Sequence, residues 1–121
     1  MMEILFLSQD EVKELVSMKE VTEAVEKAFR EKSKGNVEMP PKTYVFFREY
    51  DGDFRVMPAY IKTLNAAGVK VVNVHVKNRV TGLPTVMATI LLLSPETGQP
   101  LAVMDGTLLT SMRNGAAGGL A

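Results

Sequence analysis

The first third of the chain has apolar residues at the spacing of one short strand followed by two helices. The strand candidate covers residues 3–7. Ser8 and Ser17 each stand three residues before a glutamate, which is the capping-box spacing that begins a helix. In the second helix, positions 21, 24, 25 and 28 are apolar and share one face, and Gly35 supplies a stop signal. We therefore expect a short first helix and a second helix that ends near residue 34.

The next segment alternates as strands do and is divided by turn residues. Pro40 and Pro41 exclude a helix and favour extended backbone. Residues 43–48 are aromatic and β-branched, and the turn at residues 50–53 predicts a hairpin whose second strand covers residues 54–57. Pro58 is expected to end that strand or to leave it at the edge of a sheet.

Alternation is most regular in residues 68–77, which predict a strand with two different sides. One side is made of Lys70, Val72, Val74 and Val76, and the other is made of Val71, Asn73, His75 and Lys77. Further strands are expected at residues 85–93 and 101–104, and a helix rich in glycine and alanine begins at Asp105 or Thr107. A strand, two helices, five or so strands and a last helix indicate an α+β fold with a mostly antiparallel mixed sheet.

Composition narrows the class of protein without identifying it. With 121 residues the chain is expected to form one domain, residues 1–121. Basic and acidic residues both number 14, so the chain has no net positive charge that would attract nucleic acid or an anionic membrane. Cysteine is absent and His75 is the single histidine, so thiolate and multi-histidine metal sites are excluded. No secretory signal and no membrane span is visible, and we expect a cytoplasmic protein.

Lys70 is the first candidate for chemistry, because an ammonium beside valines loses hydration and its pKa falls. A nearby arginine could hold a carboxylate through its planar fork, and Arg55 and Arg113 flank the strand. Each residue also has a structural interpretation. Lys70 could be a solvated lysine at the start of its strand, and Arg55 could stack on aromatic rings. Arg113 could cap a helix or pair with Asp105, and Asp53 has no visible partner. His75 is expected to be a structural residue near the site.

Several ordered segments between Met39 and Gly119 resemble the ornithine cyclodeaminase / μ-crystallin family, and within it the archaeal alanine dehydrogenases. These segments are MPPKTY, RVMPAY, GVKVVNVHVKN, GLPTVMA and SPETGQPLAVMDGTLLTSMRNGAAGG. The resemblance implies a substrate-binding and dimerisation domain that precedes a Rossmann domain holding NAD. It also implies that Arg55 binds the substrate carboxylate and that Lys70 contacts the substrate as general acid and base. Thr85 and Arg113 resemble residues that touch the cofactor phosphates.

The activity implied by the resemblance is NAD-dependent amination of pyruvate to alanine. The expected partners are a small 2-amino or 2-oxo acid and a second copy of the chain, as a homodimer or higher homo-oligomer. Residues 115–119 are not a GxGxxG motif after a strand, so the chain alone is expected neither to bind NAD nor to turn over substrate. Two alternatives stay open: an ornithine cyclodeaminase domain, and a non-catalytic module of μ-crystallin type that self-associates or binds small acids.

Overall fold

A computed structural model describes residues 2–120, so Met1 and Ala121, the two ends of the expected domain, lie outside the described residues. Seven strands form one sheet, and three helices accompany it. The strands are β1 (Leu5–Leu7), β2 (Val37–Glu38), β3 (Thr43–Phe47), β4 (Gly52–Ile61), β5 (Ala66–His75), β6 (Val86–Leu93) and β7 (Pro100–Asp105). The helices are α1 (Gln9–Leu15), α2 (Met18–Ser33) and α3 (Thr107–Leu120).

The sheet has the strand order β1-β7-β6-β5-β4-β2, and β3 also pairs with β4. β1 lies parallel to β7, whereas every other pairing is antiparallel. Consecutive strands from β3 to β7 are joined by hairpins, and the first of these, between β3 and β4, is the hairpin predicted from the turn at residues 50–53. The predicted α+β fold with a mostly antiparallel mixed sheet is confirmed.

Both predicted helix starts are observed as hydrogen-bonded caps. Ser8 Oγ accepts from the backbone N–H of Glu11 at 3.2 Å, and the Glu11 carboxylate accepts from the Ser8 N–H at 3.0 Å. Ser17 Oγ accepts from the N–H of Glu20 at 3.2 Å. The end of α2 is also as predicted, because Gly35 has a φ of +79°, a left-handed conformation that favours glycine.

β4 is longer than the sequence predicts, and the expectation that it ends at residue 57 is wrong. It runs for ten residues, and Pro58 pairs with Val69 of β5. On the other side of β4, β3 pairs as far as Val56 and β2 pairs only from Tyr60. At Pro58, β4 therefore has no neighbouring strand on this side. Such an edge position is where a sheet tolerates proline, which has no N–H group to donate. The alternative prediction of an edge position fits this arrangement.

Three further boundaries differ from the prediction. β5 ends at His75 because the chain turns into a 3₁₀ helix at Val76–Val80. Lys70 is the fifth of the ten residues of β5, so its expected place at the start of the strand is wrong. Thr85 precedes β6 and does not begin it, and the two-residue strand β2 was not predicted at all.

Close contact between Gly106 and β6 positions α3 against one face of the sheet. A Cβ atom at Gly106 would lie 2.9 Å from Cγ1 of Ile90, so only glycine allows this approach. Asp105 Oδ2 accepts from the backbone N–H groups of Thr107 and Leu108 at 3.2 and 3.4 Å, and Thr107 Oγ1 accepts from the N–H of Ala88 at 2.9 Å. These bonds fix the first turn of α3 above the sheet face that carries Ile90. Within the part of the chain that the structure describes, the buried apolar residues are Val12, Val25, Val72, Ala88, Ala102 and Ala116.

Candidate functional site

The strand register brings Lys70 and Arg55 to the same face of the sheet. Lys70 pairs with Met57 of β4, and Arg55 stands two residues before Met57, opposite Val72. Directly paired residues share a face, and so do alternate residues of one strand. Lys70 and Arg55 are therefore diagonal neighbours on two paired strands, and their Cα atoms lie roughly 7–8 Å apart. Ile90 of β6 pairs with Lys70 from the other side and lies on the same face.

A cavity of about 520 Å³ lies between this face and the helices α2 and α3. Its walls are mostly apolar, with Val25, Ala28, Ala59, Ile61, Ile90 and Leu109 among the lining residues. The polar lining residues are Lys32, Lys70, Thr110 and Arg113. Within the described part of the chain, no aspartate or glutamate lines the cavity. A cationic, largely apolar cavity favours an organic anion over a cation.

Lys70 is half-buried in this environment, and its pKa is below the ordinary value for lysine. Burial is the main cause, because it removes water from the ammonium group. The positive charges of Arg113 and Lys42 lower the pKa of Lys70 further. A bound carboxylate would relieve this repulsion and favour the protonated lysine. The arrangement therefore supports both anion binding and proton transfer by one side chain.

Lys42 belongs to this cationic group, although the sequence did not indicate it. It directly precedes β3, in which Thr43 pairs with Val56, so Lys42 lies beside Met57 on the face of Lys70. Its Nζ atom lies 5.9 Å from the centre of the Tyr44 ring. The Pro-Pro-Lys segment shows no periodicity of its own, so only the pairing of β3 with β4 places this lysine in the site.

Arg55 is held by two neighbours on the same face. Its Nε atom donates to Asp53 Oδ1 at 3.0 Å, and its guanidinium carbon lies 4.9 Å from the centre of the Tyr44 ring. Among the described residues, Nη1 and Nη2 of Arg55 have no hydrogen-bond partner. These two nitrogens can therefore donate two parallel hydrogen bonds to a carboxylate. The predicted stacking on an aromatic ring is observed. The Asp53 contact was missed, although the spacing of two residues within a strand could have indicated it.

Arg113 lines the cavity from α3, one of the elements that cover the face of Lys70. Its Nη1 atom donates to Asn114 Oδ1 at 3.4 Å, and the residue is exposed. The alternative pairing with Asp105 is wrong, because that carboxylate caps the first turn of α3. Thr85 is not brought to the cavity. It stands five residues before Ile90, about 17 Å along the strand direction, and its carbonyl accepts from the His75 N–H at 2.8 Å.

His75 lies on the opposite face of the sheet from Lys70, so its expected position near the site is wrong. Its ring is 5.5 Å from the ring of Phe47, and a Cβ atom at Gly52 would lie 2.5 Å from it. Within residues 2–120, no three metal-ligating side chains come together. In the same residues, no helix is long and apolar enough to cross a membrane.

The fold and the site together define an α+β domain with a cationic, largely apolar cavity beside its sheet. The family model of the ornithine cyclodeaminase/mu-crystallin family matches residues 2–121, and the chain belongs to this family.

Three relatives illustrate the similarity. An alanine dehydrogenase of Archaeoglobus fulgidus is 55% identical over 120 residues, which are 99% of this chain and 36% of the relative. The structure of Thermococcus litoralis Δ1-pyrroline-2-carboxylate reductase in complex with NADH and L-proline shares 45% identity and a TM-score of 0.95, covering 98% of this chain and 36% of the reductase. An archaeal alanine dehydrogenase dimer with bound NAD shares 55% identity and a TM-score of 0.94, covering 99% and 36%. The chain thus spans little more than a third of these relatives.

Proposed function

We propose that residues 1–121 are the substrate-binding and dimerisation domain of an NAD-dependent amino-acid oxidoreductase of the alanine dehydrogenase type. The reaction is amination of pyruvate by ammonia and NADH to give alanine. The observation that carries the proposal is Lys70, a half-buried lysine of lowered pKa that shares a cavity with Arg113 and a sheet face with Arg55. Membership of the family and similarity to archaeal alanine dehydrogenase, in sequence and in structure, support it.

Arg55 and Lys70 have separate roles in this proposal. The two terminal nitrogens of Arg55 bind the carboxylate of pyruvate, and Lys42 adds positive charge on the same side. Lys70 donates a proton to the carbonyl oxygen as ammonia adds to the carbonyl carbon, and it recovers a proton from the added nitrogen. It then donates this proton to the new hydroxyl group, which leaves as water, and the protonated imine that remains is reduced by hydride. A lowered pKa suits this exchange, because a group that gives and regains a proton works best near the working pH.

NAD, when bound, supplies the hydride. Arg113 and Thr85 are the residues proposed to contact its phosphates, and an exposed guanidinium suits that role. Gly115 and Gly118 lie inside α3 and not in a turn between a strand and a helix, so they form no phosphate-binding loop. We therefore expect the chain alone neither to bind NAD nor to catalyse the reaction.

The sheet face opposite Lys70 is proposed to be covered by a second copy of the chain. One row of paired residues on this face runs from Phe6 through Val103, Leu91 and Val69 to Pro58, and none of them is fully buried. Phe6 is 68% exposed. A similar alanine dehydrogenase is a dimer, which favours a homodimer over other occupants of this face. A higher homo-oligomer and a cytoplasmic location stay predictions.

The cavity favours alanine dehydrogenase over ornithine cyclodeaminase. The second amino group of ornithine is a cation, and within the described residues the cavity offers it no carboxylate. Apolar walls suit the methyl group of pyruvate or alanine. The μ-crystallin-like alternative, a binder without catalysis, predicts that pyruvate binds while no NADH is consumed, and the assay below distinguishes it.

The experiment joins this chain to the remaining part of the Archaeoglobus fulgidus alanine dehydrogenase and measures NADH oxidation with pyruvate and ammonia. Replacing the general acid, Lys70→Met, is expected to lower kcat/KM by about 10²–10⁴-fold. Lys27→Met removes an exposed lysine of α2 that does not line the cavity and serves as the matched control, with activity close to that of the parent chimera. A Lys70→Met chimera that retained full activity would contradict the proposal.

A further inference from the structure

The aromatic ring of Tyr44 contacts two cations of the candidate site at once, and the mechanism above assigns it no role. The guanidinium carbon of Arg55 lies 4.9 Å from the ring centre, and the Nζ atom of Lys42 lies 5.9 Å from it. Both distances are within the range of about 6 Å over which the negative face of an aromatic ring attracts a cation. One ring therefore holds two positive charges on the sheet face that carries Lys70.

The pairing of β3 with β4 explains why these three side chains meet. Tyr44 pairs directly with Arg55, and Lys42 stands two residues before Tyr44 on the same side of the chain. On the other side of Tyr44, the ring of Phe46 stacks on it, with the ring centres 6.1 Å apart and an angle of 14° between the planes. The ring has neighbours on both sides along β3 and one across the strand pair, which restricts its movement. Tyr44 is 40% exposed, so a ligand can reach the cations beside it.

Two cations that bind one carboxylate repel each other, so each of them needs a neighbour that holds it in place. Arg55 has Asp53, whose carboxylate accepts from its Nε atom. Among the described residues, Lys42 forms no ion pair with an aspartate or glutamate. The Tyr44 ring attracts both cations without carrying a full negative charge. An acidic residue in its place would attract the cations more strongly, but it would also repel the carboxylate of the ligand.

We propose that Tyr44 is a positioning residue whose ring holds Lys42 and Arg55 together, so that both bind the carboxylate of one organic acid. This inference rests on the proposed function, because it assumes that such an acid binds beside Lys70. The effect belongs to the aromatic face of Tyr44 and not to its hydroxyl group. Tyr44 acts through the two cations and needs no contact with the ligand.

Three variants separate the ring of Tyr44 from its hydroxyl group and from the fold of the hairpin. Tyr44→Leu removes the aromatic face and is expected to raise the dissociation constant for pyruvate about tenfold, because two cation–π contacts are lost. Tyr44→Phe keeps the ring and should restore the affinity of the parent chain. Tyr50→Leu removes another exposed tyrosine from the turn between β3 and β4, and this matched control should bind pyruvate as the parent chain does.

A second background distinguishes positioning from structural damage. In a Lys42→Met chain only the contact with Arg55 remains, so Tyr44→Leu is expected to weaken pyruvate binding about threefold instead of tenfold. Structural damage to the hairpin would weaken binding by the same factor whether or not Lys42 is present. Equal factors in the two backgrounds would therefore overturn the inference.

The experiment titrates the 121-residue chain and these variants with pyruvate and follows backbone amide NMR shifts. Lys70→Met is the reference variant that lacks a group of the proposed binding site. If Lys70→Met loses binding while Tyr44→Leu binds as the parent chain does, the ring has no positioning role and the proposed function stands. If the parent chain does not respond to saturating pyruvate, the acid-binding site itself is refuted, and both proposals fail together.

Discussion

At the scale of single residues, the two charged neighbours Asp53 and Arg55 decide how a carboxylate can approach. Asp53 occupies the Nε side of the guanidinium at 3.0 Å, and Tyr44 covers one face of it. A substrate carboxylate can therefore reach only the end formed by Nη1 and Nη2. In the proposed function, Asp53 would position this arginine without touching the substrate.

Asp53→Ala is expected to weaken pyruvate binding several-fold, because the Arg55 side chain gains alternative rotamers that binding must then restrict. Asp53→Asn keeps an oxygen acceptor for Nε and should retain more of the affinity. Asp51→Ala is the matched control, since Asp51 pairs with Lys77 at 2.8 Å on the exposed surface. Equal affinities of the Asp53→Ala and Asp51→Ala variants would refute the positioning role.

The sequence indicated some of these residues and not others for a physical reason. Lys70 was found because alternation within one strand places it beside Val72 and Val74. Lys42 enters the site through a strand pairing and Thr110 through the packing of α3, and neither arrangement leaves a local pattern. Local periodicity therefore predicts which face a residue occupies, whereas contacts between elements need the structure.

At the scale of elements, the position of α3 depends on the absence of a side chain at Gly106. α3 carries both Thr110 and Arg113, so any displacement of its first turn moves two residues of the cavity wall. The predicted start at Asp105 or Thr107 was correct, because the capping signal is local. The close contact with Ile90 could not be predicted, since it joins residues on different elements.

Gly106→Ala is expected to lower the free energy of unfolding by roughly 1–3 kcal/mol, because the added Cβ atom would crowd Ile90. Gly115→Ala lies in the same helix with open space around the added atom, and it should raise stability by about 0.5–1 kcal/mol. Denaturant unfolding of both variants measures the difference. A Gly106→Ala chain as stable as Gly115→Ala would show that α3 does not pack as described.

Strand ends were the weakest part of the sequence prediction. Pro58 suggested an end to β4, but β4 continues through this residue, because neither β3 nor β2 pairs with it there. Val76 continued the alternation of β5, but the backbone turns into a 3₁₀ helix there. Strand length depends on the neighbouring strands, which the sequence of one strand does not contain.

At the scale of the whole molecule, the two faces of the sheet differ in what covers them. One face carries the cavity beneath α2 and α3, while the other exposes apolar residues for the proposed second copy. The proposed dimer would leave the cavities of the two copies on the outside, where further chain or a cofactor can reach them.

Val71→Lys places a charge in the centre of the open face and is expected to shift the chain from dimer to monomer. Its paired neighbour Thr89 is already exposed, so the folded monomer should tolerate the change. Val80→Lys, at a position that is 85% exposed in the 3₁₀ helix, is the control and should leave the dimer intact. Sedimentation of the three chains measures the mass. A parent chain that stays monomeric at high concentration would contradict this interface.

The central claim is that Lys70 is partly desolvated and receives an organic acid. A lowered pKa means that the folded chain releases the Lys70 proton at lower pH than the unfolded chain. Because a carboxylate binds the protonated lysine better, affinity for pyruvate should fall as the pH rises through this pKa.

NMR titration of the Lys70 side chain, with and without pyruvate, measures this pKa directly. The expected result is a pKa below the ordinary lysine value of 10.5 in the free chain and an upward shift when pyruvate is present. A Lys70 that titrates at its ordinary value and does not respond to pyruvate would contradict the claim.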